Sequence, residues 1–517
     1  MQNLREWTYI SLPWLAFAMF FFISFFFLAF FEDVDSTYTS KNYLTGLFFN
    51  TVLLSFGSAT MAALIAVPLA ILVTFYKFPG HKFFSWALSL SIAFPAYVYA
   101  FIFVGIFEYA SPVSEYLRQF GISLPSIKNI YGASLVMSMA LFPYIFLLAK
   151  AQLSYVGVGI FKAAKSLGDK NLSAIRKVII PSIKPVIFAG MALVIFETIS
   201  DLGGVRTLSI ETFTVGIYDA WFGYQSYFSA ARLAGYLLIF VLFIIFLSKY
   251  FGNKSGSIAP KTAEVFEKIE LKIAGKYTST LVCSLIFLFV FCIPFIQLFL
   301  WHFNNTYFEI FEHLKLLLNS ALLGIFVALL TVFFAISLSL SYKGTRYLKT
   351  IISVSTSGYA IPGSVISSGL LISFDLIFDT AITLYGMLGL VMCLSLRFMT
   401  PAFNYISSSL TNIPKSSENA LLTQPKNSYK AFLNFYLPQM KPAILLGIMI
   451  VFIESIKEQP ATLLLRPVGF DTLSTKVYNF TSEGQWIMAS SPSLLLILLS
   501  LIFVYLINKN IDLNKYN

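Results

Sequence analysis

The chain has 517 residues, 58% of them hydrophobic and only 11% charged, where a soluble domain of this size carries roughly a quarter charged. That balance excludes a large water-soluble globule, and the formal charge of +11 then belongs to loops on one face of a membrane, not to a nucleic-acid surface. Cys283, Cys292 and Cys393 all sit in apolar segments and fit neither a disulfide framework nor a metal knuckle.

The apolar residues fall in blocks about as long as a helix needs to cross ~30 Å of hydrocarbon. The first block, 12–31, follows Arg5. It is too long for a signal h-region and has no small-residue cleavage site before Glu32, so it is expected to remain as a membrane helix. Further helices are expected near 51–75, 86–107, 131–150, 185–200, 231–249, 278–300, 318–342, 350–372, 382–402, 442–457 and 492–508, which makes twelve. Counting helix ends with their loops, 26 of the 35 Lys and Arg fall on the side of loops 151–184 and 403–441, and 17 of the 24 acids fall on the other. The positive-inside bias puts both loops and both termini in the cytoplasm. Segment 251–277 has a Gly/Ser/Pro start and reads as a cytoplasmic linker; its charge alternation over Glu264–Lys272 predicts a short solvated helix. It separates a module at 1–250 from a module at 278–517.

The two modules repeat one another. Ile180–Asp201 (IPSIKPVIFAGMALVIFETISD) returns 257 positions later as Leu437–Glu458 (LPQMKPAILLGIMIVFIESIKE), with 8 of 22 positions identical and no gap. Asn50-Thr51 matches Asn319-Ser320, Ala93-Phe94-Pro95 matches Ala360-Ile361-Pro362, and Tyr131-Gly132 matches Tyr385-Gly386. Six helices per copy is an even number, so both copies point the same way. The expected fold is all-α and membrane-integral, two parallel six-helix repeats about an axis along the membrane normal. Pro95 and Pro362 fall inside apolar helices at matching places. Each predicts a kink, and paired kinks point to a substrate path.

Lys162–Pro181 reads KAAKSLGDKNLSAIRKVIIP: small residues, Leu-Gly, an amphipathic stretch and an apolar-Pro end. It resembles the EAA loop of ABC importer permeases. Ala163, Ala164 and Gly168 match that motif, and Lys162 stands where the family usually has Glu. The second copy, Asn419–Pro438, keeps Ala420 and Pro438 but has Asn419 at the Glu position and Pro425 at the Gly position. Stretches Glu197–Ala234, Lys457–Gly484 and Ile92–Gly105 are similar to the corresponding regions of iron(III)-type importer permeases with two fused modules. The resemblance implies a type I permease fold and a complex of one such chain, two cytoplasmic ABC ATPase subunits that bind the ATP, and a periplasmic ferric-binding protein. In that family the loops ending at Pro181 and Pro438 dock on the ATPases. Relatives in the same superfamily carry thiamine, polyamines, sulfate or phosphonates.

The chain's own chemistry is sparse. It has no GxxxxGK[ST] stretch, so nucleotide energy must come from a partner. His81, His302 and His313 are scattered among loops, and no metal-ligand spacing stands out. Glu197 with Asp201 and Glu454 with Glu458 lie at i, i+4 in matching places, so each pair is expected on one helix face. They are expected to line the outer mouth of a cation path. The alternative is that they end the helices and bond local backbone or Arg206 and Arg466. Arg397 reads as an anchor snorkelling at a helix end. Twelve helices in a parallel repeat also describe an ion-coupled secondary carrier, but that class needs no paired basic docking loops. A membrane enzyme would need a reactive set of side chains that the sequence does not offer.

Overall fold

The computed structural model describes residues 6–31, 40–166, 168, 171–252, 268–306, 309–345, 347–378, 386–414, 416–417 and 428–513. The first half opens with α1 (Trp7–Phe31) and α2 (Lys41–Phe75), followed by a two-residue strand β1 (Tyr76–Lys77). Then come α3 (His81–Ala87), a 3-10 turn at Leu90–Ala93, α4 (Ala96–Phe107), α5 (Pro112–Arg118) and α6 (Ile130–Ser166). A short helix α7 (Asn171–Ala174) and a π-turn (Ile175–Ile179) lead into α8 (Ile180–Ser200). The half ends with α9 (Gly203–Thr207), α10 (Phe213–Tyr218) and α11 (Tyr227–Gly252). The second half begins with β2 (Ile269–Glu270), α12 (Ile273–Phe287), α13 (Ile293–Phe303), α14 (Ile310–Gly344) and α15 (Lys349–Ser355). A 3-10 turn at Gly358–Ala360 precedes α16 (Gly363–Phe378) and α17 (Gly386–Thr411). After α18 (Ser428–Ala431) a π-turn (Phe432–Tyr436) opens α19 (Leu437–Lys457), followed by α20 (Pro460–Leu465), α21 (Leu473–Ser482) and α22 (Trp486–Leu513). Among the described residues eleven helices are long and apolar enough to cross a membrane, or twelve if one bent pair counts as a span.

That bent pair, and its counterpart in the first half, depart from the expectation of unbroken helices at 86–107 and 350–372. Pro95 and Pro362 do not kink continuous helices; they sit at breaks. Lys349–Ala360 and Gly363–Phe374 meet at 117°. A proline ring drives the residue before it out of helical geometry and brings no N–H of its own. Phe94 (φ −86°, ψ 125°) and Ile361 (φ −91°, ψ 125°) are accordingly extended. The Pro95 carbonyl then accepts from Val98 and Tyr99 N–H, and the Pro362 carbonyl from Val365 and Ile366 N–H, so α4 and α16 restart immediately. We call each turn with its proline an elbow.

The repeat read from the sequence extends to hydrogen bonds. Asn50 Nδ2 donates to the Glu211 carbonyl at 2.9 Å, and Asn319 Nδ2 to the Asp471 carbonyl at 2.9 Å. Thr51 Oγ1 accepts from Phe213 N–H at 3.1 Å, and Ser320 Oγ from Leu473 N–H at 2.8 Å. Both hydroxyls are buried and fasten α10 and α21 onto α2 and α14. Thr51→Val and Ser320→Ala each leave a buried N–H without its acceptor, a loss of about 1–3 kcal/mol. Thermal unfolding in detergent should show a drop of similar size for both variants; a drop in neither would mean that these fastenings are incidental.

The halves do not sit side by side as separate bundles. Helix α1 lies against α14 and α16 of the second half. Trp14 packs on Phe334 with ring centroids 5.0 Å apart, Ser11 meets Ser341 at 3.2 Å, and Ser24 meets Ser373 at 2.8 Å. Helices α12 and α13 return the exchange. Phe83 packs on Phe287, Phe94 on Phe291 and Phe101 on Trp301, and Tyr99 OH donates to the Val290 carbonyl. The leading helix of each module thus covers the other module. In lipid, where helix association rests on packing and hydrogen bonds, such an exchange clamps the pair together.

Within the expected linker, residues 253–267 lie outside the described set. From Ile269 the backbone is a strand, not the expected helix, because β1 offers it an edge: Tyr76 pairs with Ile269 and Lys77 with Glu270, in parallel. Lys77 Nζ reaches Glu270 Oε1 at 3.2 Å, and this hydrogen bond holds the Glu270 carboxyl below its ordinary pKa.

Candidate functional site

Helices α8 and α19 carry the central repeat and bring Glu197 and Glu454 to the seam between the halves. Both helices begin with proline in the first turn, Pro181 and Pro438, where the missing N–H costs nothing. Close packing of α8 is possible because Gly190 lies against α6, where an added Cβ would sit 3.1 Å from Ile145 Cα.

Glu197, Asp201, Glu454 and Glu458 line one cavity of about 70 Å³ between the halves, with Pro95, Tyr97, Tyr144, Arg397, Lys457 and Gln459. All six candidate path residues except Pro362 border it. The structure separates the acids by role, and the expectation of a shared helix face fails. Helix α8 ends at Ser200, and Asp201 is extended (φ −74°, ψ 122°); Glu458 is extended after α19 (φ −66°, ψ 126°). The chain turns there, so each of these carboxylates swings onto the start of the next short helix. Asp201 Oδ1 accepts from Gly204 N–H at 2.6 Å and Val205 N–H at 3.2 Å. Glu458 Oε2 accepts from Ala461 N–H at 3.1 Å and Thr462 N–H at 3.2 Å. These are capping bonds at helix N-termini, and they occur at matching positions in both copies. Arg206 and Arg466 do not take part: Arg206 pairs with Asp219 at 2.8 Å, and Arg466 with Asp471.

Glu197 and Glu454 are left to face the opposite elbow. Tyr359, in the elbow of the second half, donates its hydroxyl to Glu197 Oε1 at 2.6 Å. Glu454 Oε1 lies 3.6 Å from Lys457 Nζ, and that ammonium donates to the Ile92 carbonyl of the first elbow at 3.0 Å. Tyr97 OH donates to the Lys457 carbonyl at 3.3 Å. Arg397 is 5% exposed and so does not snorkel; its Nη1 donates to the Ile361 carbonyl at 3.4 Å. Gly363 makes room for this: a Cβ there would fall on Glu458 Oε1 and lie 3.2 Å from Arg397 Nη1. Arg397, Lys457, Tyr97, Tyr144 and Tyr359 were not singled out as site residues from sequence. One signal was available: Lys457 stands where the first copy has Ser200, a charge inserted into an otherwise matching repeat.

The coupling-loop residues are only partly within view. Lys162, Ala163 and Ala164 lie in the C-terminal part of α6, and Gly168 has φ +94°, a conformation that favours glycine. Ile179 is buried, and Ile175 and Val178 pack partly against the core. Asn419, Ala420 and Pro425 lie outside the described residues. The histidines expected in loops are in helices: His302 Nδ1 meets Ser491 Oγ at 2.9 Å, and His313 Nδ1 meets the Glu309 carbonyl at 2.8 Å. Among the described residues no group of three or more His, Cys, Asp or Glu is spaced to hold a metal ion.

Residues 66–253 match the model of a family described as binding-protein-dependent transport system inner membrane component. Over 474 residues the chain is 26% identical to a Fe(3+)-transport system permease protein of Haemophilus influenzae, covering 90% of this chain and 89% of that one. It is 25% identical over 155 residues to a sulfate transport system permease protein of Salmonella typhimurium, covering 30% of this chain and 55% of the relative. It is 24% identical over 241 residues to a putative 2-aminoethylphosphonate transport system permease protein of the same organism, covering 42% of this chain and 84% of the relative.

Proposed function

We propose that this chain, a two-module permease of the binding-protein-dependent transport type, is the membrane path of a ferric iron importer. The observation that carries the choice of cargo is the cavity at the seam, which four carboxylates and the phenols of Tyr97 and Tyr144 border. Ferric iron is a hard cation that favours such oxygen donors. The similarity to a Fe(3+)-transport permease along nearly its whole length supports the same cargo. A path must release what it admits, and a loose set of carboxylates suits passage better than a closed cage.

The chain binds no cofactor of its own in this reading. Two copies of a cytoplasmic ABC ATPase bind the ATP and dock on the loops at 162–181 and 419–438. A periplasmic ferric-binding protein delivers the cargo to the outer face, and both termini lie in the cytoplasm of a bacterial cell with the chain in its inner membrane. ATPase closure moves the loops, and rigid-body rocking of the halves about their seam exposes the cavity first outward, then inward. Both elbow contacts, Tyr359 to Glu197 and Lys457 to the Ile92 carbonyl, cross that seam, so rocking must break and remake them.

A second reading has a specific observation behind it. Arg397 and Lys457 face the same cavity, so an oxyanion cargo, such as the sulfate relative's name describes, would also find charge there. Uptake by cells expressing the complete importer separates the two. Radiolabelled ferric iron, presented on the binding protein, should accumulate only when the chain is present, while labelled sulfate and 2-aminoethylphosphonate should not. Chain-dependent sulfate uptake without iron uptake would sink the ferric reading.

A further inference from the structure

The same gap is bridged differently in the two halves. Register 267 of the elbow repeat, set by Pro95 and Pro362, places Ile92 opposite Tyr359. Register 257 of the helix repeat places Glu197 opposite Glu454 and Ser200 opposite Lys457. In one crossing the carboxylate meets the elbow directly, through the Tyr359 hydroxyl at 2.6 Å. In the other, among the described residues, no side chain of the first elbow bonds Glu454. The Lys457 ammonium fills the space instead, 3.6 Å from the carboxylate and 3.0 Å from the Ile92 carbonyl. A cation held between a carboxylate and a backbone carbonyl is in the surroundings that a metal cation would occupy.

From this asymmetry we infer that Lys457 is a tethered counter-ion that closes the path at rest and sets its charge selectivity. Its side chain is 9% exposed, so the ammonium is held in the seam and not in solvent. Acidic side chains outnumber basic ones in the lining of the cavity it borders, four to two. A monovalent cation entering must displace an ammonium of equal charge that is covalently attached and already hydrogen-bonded. A cation of higher charge gains more from Glu454 and Glu197 than the ammonium does, because attraction scales with the product of charges. When the cargo seats, the ammonium swings off the Ile92 carbonyl and frees the first elbow. Cargo arrival and seam opening are then one event.

The inference rests on the proposed cation path, but its test does not use iron. The permease with its ATPase partners is reconstituted in vesicles without ATP or binding protein, and passive sodium efflux is followed. Native protein should be tight. Lys457→Met should raise the flux about tenfold or more, since an unplugged acidic cavity admits small cations. Lys457→Arg, which keeps the charge and the donors, should stay within about twofold of native. Lys457→Gln serves the same comparison if the methionine variant does not assemble, because it keeps a donor for Ile92 while losing the charge. Native tightness in an assembled Lys457→Met or Lys457→Gln complex overturns the inference. That outcome would leave the ferric reading untouched, and failure of iron uptake would leave the sodium result standing.

Discussion

Replacing Glu197 and Glu454 together by Gln is expected to cut ferric uptake by at least about a hundredfold while the complex with its ATPases still forms. Glutamine keeps the size and one acceptor oxygen, so Tyr359 OH still has a partner at position 197. What is lost is charge. At an effective dielectric near 20, each carboxylate attracts a unit charge 4 Å away by about 4 kcal/mol, more for a trivalent ion. Each single variant should fall between native and double. Asp201→Asn and Glu458→Gln test a different role. Their carboxylates accept from backbone N–H groups in both copies, so those variants should weaken the turns after α8 and α19 and lower thermal stability. Radiolabelled uptake, with ATPase co-purification as the assembly control, reads the first effect. Iron uptake in the double variant within twofold of native would remove the two glutamates from the path.

Gly358→Ala is expected to cost about 3 kcal/mol of stability and to abolish transport. Gly358 opens the 3-10 turn of the second elbow, and the backbone of α17 lies directly on it. A Cβ there would collide with the Leu396 carbonyl oxygen and lie 2.7 Å from its carbonyl carbon. Backbone on both sides cannot give way as a flexible side chain would, so the turn must lift off α17. Tyr359, the next residue, would be carried away from Glu197. The matching control is Gly389→Ala on α17, where an added Cβ would meet only Leu465 Cδ2 at 3.8 Å. That substitution should be neutral or mildly stabilising, because alanine favours a helix over glycine by about 1 kcal/mol. Thermal unfolding of both purified variants checks the contrast. Equal stability of the two would mean that the elbow is not held against α17.

Much of the architecture was legible in the order of residues. Span lengths follow from hydrocarbon thickness, and the repeat follows from Ile180–Asp201 recurring at Leu437–Glu458. These are local or self-comparing properties, and a uniform apolar solvent enforces them without reference to partners. Pro95 and Pro362 were legible as disturbances but not as breaks. Whether a proline bends or ends a helix depends on what satisfies the freed backbone, and here Val98, Tyr99, Val365 and Ile366 restart the ladder at once. The i, i+4 spacing of Glu197 and Asp201 suggested one face, but the helix stops between them.

The seam was out of reach for a plainer reason. Tyr359 meets Glu197 across 162 residues, and Lys457 meets Ile92 across 365. No periodicity or composition links residues so far apart; only the packing of two exchanged halves does. The buried position of Arg397 is of the same kind, since a cation in an apolar helix looks identical whether it reaches the interface or a carbonyl at an elbow. Residue order therefore settles which segments cross the membrane and that they come in two copies. The fold settles which acids cap helices, which face the seam, and that the cation standing where the other copy has a serine reaches across to the opposite elbow.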